Sequence, residues 1–337
     1  MKSPASHSGF SILEFMIAIT LGALLVAAVG MTYVSNRNVN TIQEGLSRLQ
    51  ENARYIGYIL ARELRMAGYS GCANQRNISI SNLAQSNPSL TDFTRPLQGY
   101  DGSGGTFSPA LPAHLVGQSV VNSDVLELRM GSNISVQLRD NMNLTNNPVL
   151  VYDRLNLQAG EPVLITNCTV GDVFISGANS NATAITHTVT NNNSNDLSVS
   201  YTTEAQVMRF LYFAYYVKDT GRTNALGNPI QALVRRNYSG TEEEIADGVE
   251  VMRIRYGVDT NADNNVDAFM NATQVSSSNN WNNVLSAEIR LLMATTEQVN
   301  EKPMAYTFDS ATITPADRRL YREWKVYVTL RNRGMPS

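Results

Sequence analysis

Residues 9–35 read GFSILEFMIAITLGALLVAAVGMTYVS. From Phe15 to Ser35 the only ionisable side chain is that of Tyr33. At about 1.5 Å of rise per residue, a helix of this length crosses the hydrocarbon core of a bilayer. Glu14, at the head of the run, does not fit that environment. A carboxylate inside a membrane helix is costly unless paired, so by default it marks function. No basic residue lies nearby in the same helix, so the partner is expected from another molecule or from a newly made amino terminus. Cleavage between Gly9 and Phe10 would place such a terminus one helical turn before Glu14. In an array of parallel helices, the amine of one subunit could then neutralise the glutamate of its neighbour. A secretory signal peptide explains the segment less well: its basic region would be only Lys2 and the amino terminus, and its apolar core is too long. A plain uncleaved anchor also leaves Glu14 unexplained.

The helical pattern continues beyond the apolar run. Ile42, Leu46, Leu49, Ala53, Ile56, Leu60, Leu64 and Ala67 recur at spacings of three and four, which makes one stripe. Glu44, Arg48, Glu51, Arg54, Arg62, Glu63 and Arg65 are expected on the other faces, and Gly68 suits the helix end. The reading is one long helix, with 10–35 in the membrane and 36–68 amphipathic, docked by its stripe on a sheet. Gly22, Gly30, Gly45 and Gly57 weaken it locally. Residues 76–118 are poor in pattern, and GYDGSGGTFSPALP reads as a long loop. Short β-branched runs then accumulate: DVLELRM, NISVQL, PVLVYDRL, EPVLITNC and DVFISGA. TVTNNNSNDLSV reads as a hairpin turn, with a disordered tip as the alternative. AQVMRFLYFAYYV is apolar on both faces and is the candidate central strand. IQALVRRNY, VEVMRIRYGV, VLSAEIRLLMA and EWKVYVTLRN complete the β pattern. No repeat and no second composition shift divides 69–337, so the fold class is α+β, with one sheet-rich and predominantly antiparallel domain.

Net charge over the 337 residues is -3, so no basic field invites nucleic acid. Charged residues make up 16%, against about a quarter in a typical soluble protein, with Asn, Ser and Thr in their place. That composition suits an extracytoplasmic surface. Cys72 and Cys168, an even pair without a CxxC motif, fit one structural disulfide in an oxidising compartment; two buried thiols are the alternative. Such a bridge would close about 95 residues and contribute roughly 4–5 kcal/mol in the chain-entropy model. His7 falls in the leader, and His114 and His187 read as isolated surface residues. There is no GxSxG, HExxH, P-loop or dinucleotide fingerprint, so nothing recommends an enzyme. One polar loop stands out. Asp259, Asn261, Asp263 and Asp267 offer side-chain oxygens at loop positions one, three, five and nine, and Asn265 offers its carbonyl. Alternating hard oxygen ligands suit Ca²⁺, although Asn264 replaces the usual glycine and Met270 stands where a bidentate glutamate belongs. The same residues also read as a polar Asx-turn between strands.

The stretch Gly9-Phe10-Ser11-Ile12-Leu13-Glu14 followed by the apolar run resembles the type III signal of type IV pilins and pseudopilins. In that family a prepilin peptidase cuts after the glycine and methylates the new amino terminus, which makes Met1 to Gly9 a leader. IADGVEVMRIRYGVDTNADNNVDAF, Trp281 before VLSAEIRLLMAT, and the terminal EWKVYVTLRN resemble the C-terminal half of PilW-type minor pilins. MAGYSGC and LITNC resemble that group's two cysteine segments. The resemblance covers most of residues 10–334 and implies a pilin-like fold and a non-enzymatic role. It implies an inner-membrane, single-pass protein with a periplasmic domain. Its expected partners are other minor pilins, the major pilin and a tip adhesin. Such a protein primes pilus assembly, is incorporated at or near the tip of an extracellular pilus, and serves adhesion and twitching motility without a required cofactor. Two other readings stand beside it: a J-type minor pseudopilin of a type II secretion system, and a membrane-anchored periplasmic enzyme or calcium-dependent adhesin.

Overall fold

The computed structural model describes residues 9, 11–71, 78–85, 87–153 and 155–332. Helix α1 runs from Ile12 to Met66. Ser11 caps its start: Ser11 Oγ accepts the Leu13 N–H at 3.3 Å, and Glu14 Oε2 accepts the Ser11 N–H at 3.0 Å. This reciprocal capping box satisfies two of the orphan donors at a helix N-terminus. The helix stops where the sequence places the stop. Gly68 takes φ +75, and its N–H donates to the Arg129 carbonyl at 2.9 Å, turning the chain onto the sheet.

The strands are β1 (Ser79–Asn82), β2 (Leu97–Ser103), β3 (Thr106–Ser108), β4 (Val125–Gln137), β5 (Val149–Leu150) and β6 (Pro162–Thr166). They continue with β7 (Val170–Ile175), β8 (Ala184–Ile185), β9 (Gln206–Thr223), β10 (Pro229–Asn237), β11 (Glu242–Asp247), β12 (Val249–Val258) and β13 (Ala268–Met270). After a short helix α2 (Ala272–Ser277) come β14 (Val284–Ala294), β15 (Tyr306–Phe308), β16 (Ala311–Ile313) and β17 (Tyr321–Thr329). The larger sheet has the order β1-β7-β6-β9-β4-β2-β3, with β10 on β9 and β11 on β10. The smaller has the order β13-β12-β14-β17. The β1–β7 pair is parallel, and the other pairings in these two sheets are antiparallel. The protein is thus α+β, as expected.

β9 is the central strand that its two-sided apolar pattern predicts. Phe210, Tyr212 and Tyr216 face a core covered by the segment around Phe93 and Leu115. Tyr215 and Val217 face the core under α1. The helix stripe joins both sheets there: Leu49, Ala53, Ile56, Leu60 and Leu64 pack with Leu128, Met252, Ile289 and Leu291. Ile42 and Leu46 are only half-buried, because the helix is leaving the sheets at that point. The loop after β14 reaches it there: a Cβ at Gly45 would lie 2.9 Å from Thr295 Cγ2, and Asn38 Nδ2 donates to Glu301 at 3.1 Å.

Several local expectations are corrected. Glu63 is buried, not on the polar face. It sits one residue from Leu64 in the stripe, and its charge is met by Arg235 Nη1 at 2.6 Å and by the Tyr215 hydroxyl. Arg235 also pairs with Glu243, so helix, β9, β10 and β11 meet at one ionic knot. DVLELRM and NISVQL form the single strand β4, with a register shift between Gly131 and Ser135. PVLVYDRL contributes only two strand residues, Val149 and Leu150. Within the supposed loop, Asp101–Ser103 pair with Thr106–Ser108 across Gly104 (φ +59) and Gly105 (φ +83). Two consecutive left-handed residues make the tight turn that matches strand twist, and glycine adopts it freely. TVTNNNSNDLSV is not a hairpin turn, because the flanking strands β8 and β9 do not pair. Its Asn192 is buried instead, accepting the Ile175 N–H at 2.7 Å and donating to the Ile175 carbonyl at 2.9 Å.

Removing one partner of a buried ion pair leaves the other charge uncompensated, whereas an exposed pair contributes little. Glu63→Ala is therefore expected to cost about 3 kcal/mol in unfolding free energy. Glu44→Ala, which removes the exposed i,i+4 partner of Arg48, is expected to cost less than about 0.5 kcal/mol. Denaturant titration of the two variants checks the difference.

Candidate functional site

The head of α1 stands clear of the domain. Gly9 is exposed, with nothing within 4 Å of the place a Cβ would occupy; Phe10 lies outside the described residues. The apolar side chains from Ile12 to Val39 are exposed, with Ile12 at 81% and Val26 at 73%. Among the described residues α1 is the one helix long and apolar enough to cross a membrane, which fits single-pass anchoring. Glu14 has a local partner that the sequence reading did not supply, the Ser11 N–H. Among the described residues only Oε2 has a partner, which leaves Oε1 for a cation.

Cys168 follows β6 in a turn, with φ +72 and its N–H donating to Thr166 Oγ1 at 3.2 Å. Cys72 lies outside the described residues.

The polar loop after β12 is built around Asp259, the one buried side chain among its candidate ligands. Asp259 Oδ1 accepts the N–H groups of Asn261 (3.2 Å), Ala262 (2.7 Å) and Asp263 (3.3 Å), and Oδ2 that of Asn264 (2.9 Å). Three of these donors share Oδ1 and one takes Oδ2, so the carboxylate is held mainly through Oδ1. Asp267 Oδ2 accepts the Thr260 N–H and hydroxyl at 2.7 and 2.9 Å. Asn261 Oδ1 and Asp263 Oδ1 each accept the N–H two residues on, those of Asp263 and Asn265, at 2.9 and 2.8 Å. Ala262 and Asn264 both take φ +64, which lets the loop wrap its own carboxylate. Among the described residues no three His, Cys, Asp or Glu side chains are grouped to hold a metal ion. Most of the side-chain oxygens in this geometry accept backbone amides, as in an Asx-turn, while Asp263 Oδ2 and Asp267 Oδ1 face the Asn261 side-chain NH₂ at 3.3 and 3.2 Å.

The strongest polar cluster was not legible in the sequence. Glu127 on β4 is buried, and four donors converge on its carboxylate. His114 Nε2 lies 3.0 Å from Oε1, the Tyr212 hydroxyl donates to Oε1 at 2.6 Å, and the Tyr100 hydroxyl and Arg129 Nη2 donate to Oε2 at 2.8 and 2.9 Å. Arg129 also donates to the carbonyls of Ser89, Leu90 and Arg95. The cluster pins the 87–118 segment to the large sheet. Burial pushes the Glu127 pKa upward, but the Arg129 charge and three side-chain hydrogen bonds outweigh it and hold the carboxyl at about 2. His114 is therefore not isolated. His187 is not a surface residue either: it is buried edge-on against Phe174, with Nε2 2.9 Å from the Asn147 carbonyl, and burial lowers its pKa.

Residues 214–332 match the family model of PilW, type IV pilus-assembly protein W. This C-terminal part of the chain is PilW-like, which supports a role in type IV pilus assembly. No curated protein and no solved structure matches the chain. The matched region begins within β9 and takes in the whole β13-β12-β14-β17 sheet, Trp281 set edge-on against Tyr256, and Arg235, to which α1 is tied through Glu63.

A depressed carboxyl contributes stability that is complete above its ordinary value and lost as pH falls toward the folded-state value. The Glu127 contribution is therefore expected to fade between about pH 4.5 and pH 2. Glu127→Gln should lack that component of the pH profile, read by thermal unfolding. In the polar loop, Asp259→Ala is expected to lower stability by about 2–3 kcal/mol, because four amides lose a charged acceptor. Millimolar Ca²⁺ is expected to leave the wild-type melting temperature unchanged; a rise that Asp259→Ala abolishes would restore the ion site.

Proposed function

We propose that this PilW-type chain is a minor pilin that primes pilus assembly in the inner membrane and enters the filament at or near its tip. The role is mechanical and non-enzymatic. A prepilin peptidase cuts between Gly9 and Phe10 and methylates the new amine. The subunit then stays in the membrane through the apolar half of α1 until the assembly machine extracts it. Glu14 pairs with the N-terminal amine of a neighbouring subunit, and the periplasmic domain binds other minor pilins, the major pilin and a tip adhesin. Cys72 and Cys168 form a disulfide that ties the helix end to the sheet; Cys168 is not a free thiol, which supports the pairing.

The observation that carries this reading is the division of α1. One uninterrupted helix leaves the side chains of its first half outside the domain and buries one stripe of its second half within it. Such a helix transfers from lipid to a filament core of like helices without refolding the domain. Glu14 Oε1, which has no partner among the described residues, supports the intersubunit pairing.

Glu14→Ala is expected to leave the chain in the membrane fraction and to reduce surface pili in a strain where this chain is the only source of its type. The cost of an unpaired carboxylate in lipid is removed, and the losses are the capping hydrogen bond from the Ser11 N–H and the pairing. Normal piliation would exclude the pairing role. Deletion of the chain distinguishes the J-type pseudopilin reading: loss of type II secretion with intact pili would replace the pilus role.

A further inference from the structure

β12 sends Met252, Ile254 and Tyr256 into the core under α1 and Arg253 and Arg255 to its other face. On that outer face lies a cavity of about 450 Å³, within the range of small-ligand sites. Its walls are the β2–β3 hairpin, α2 with the end of β13, and the β15–β16 turn.

The cavity is lined by three carboxylates, Asp101, Asp124 and Asp309, and two guanidiniums, Arg253 and Arg255. The acceptors are largely taken. Asp124 accepts the Gly102 N–H (3.0 Å), Arg253 Nη1 (3.1 Å) and the Ile254 N–H (2.8 Å). Asp101 accepts the N–H groups of Ala272 and Thr273 at 2.9 and 2.7 Å. Asn271 Oδ1 and Gln274 Oε1 take each other's backbone N–H in the cap of α2. Asp309 Oδ1 accepts from both Arg255 (3.0 Å) and Arg290 (2.7 Å). The donors are largely spare. Among the described residues Arg253 donates only through Nη1 and Arg255 only through Nη2. The side-chain NH₂ groups of Asn271 and Gln274 have no partner among the described residues. The Phe269 ring beside them is 48% exposed.

A ligand that satisfies such a site must bring acceptors. Two guanidiniums on alternate residues of one strand lie on the same face, and their planar forks match a carboxylate. The two amide NH₂ groups suit hydroxyl oxygens, and the exposed ring suits an apolar C–H face. We propose that the cavity over Arg253 and Arg255 binds a carboxylate-bearing sugar. An acidic peptide shares the carboxylate, but walls on three sides suit a compact ligand better than an extended chain. The cavity lies on the face of the small sheet opposite α1, so packing of α1 against other helices leaves it open. That accessibility rests on the pilin reading; the binding itself does not.

The test is calorimetric titration of the full chain in detergent with a glucuronate-containing disaccharide, its neutral glucose counterpart, and a short peptide bearing a free carboxylate. The acidic sugar is expected to bind saturably and the neutral one not. Arg255→Gln and Phe269→Ala are each expected to weaken binding by about tenfold or more. Arg62→Gln, on exposed α1, should leave it unchanged. Arg253 is a poor probe, because its loss strands the buried Asp124. Melting temperatures verify that the variants are folded; if Phe269→Ala melts early, Phe269→Leu keeps the bulk and removes the ring. Three results would overturn the proposal: no saturable binding at millimolar sugar, undiminished binding in folded Arg255→Gln, or preference for the peptide over the sugar. Because binding is read on the isolated chain, failure here leaves the pilus role untouched, and loss of that role leaves this result standing.

Discussion

A helix that is apolar on every side over its first half and on one side over its second must satisfy two solvents at once. Everything else in this protein follows from that constraint. Among the described residues nothing covers the first half, so its side chains are left for lipid or for other helices. The second half can only be stable with its stripe covered, and two sheets share that task. Because α1 is continuous, the position of the domain relative to the membrane is set by how firmly the sheets grip the stripe.

That grip is apolar over most of its length and ionic at one point. Leu49 to Leu64 supply the buried area. Area alone does not fix register along a helix, since a slide of one turn presents a similar stripe. Glu63 removes the ambiguity: its carboxylate is buried and matched by Arg235 and Tyr215, so a slide would strand two charges and a hydroxyl. Gly45 adds a steric marker near the membrane, where Thr295 closes against the helix. A second ionic cluster, around Glu127, performs the analogous task for the segment on the far face of the large sheet.

Much of this was legible in the sequence, because it rests on local periodicity. The extent of α1, its end at Gly68, the stripe from Leu49, and β9 as the two-sided central strand all follow from spacing. What the sequence hid depends on partners far apart in the chain. Glu63 read as a surface residue because its partners lie more than 150 positions away. Glu127 and His114 looked unrelated, although they meet across a sheet face. The β2–β3 hairpin is hard to read from sequence because its paired residues are few and polar, although Gly104-Gly105 carries the turn signal. The Asp259 loop fits two patterns, ion ligand and Asx-turn, which sequence alone does not separate. Distances to the backbone amides favour the second.

The central claim is that the helix head is made to be cut and then paired. Intact-mass and N-terminal sequencing of the protein from cells with their own prepilin peptidase tests it most directly. The account predicts a chain that begins at Phe10 and carries one added methyl group. A chain that keeps Met1, or that begins near residue 30, would contradict it and leave Glu14 with the helix cap alone.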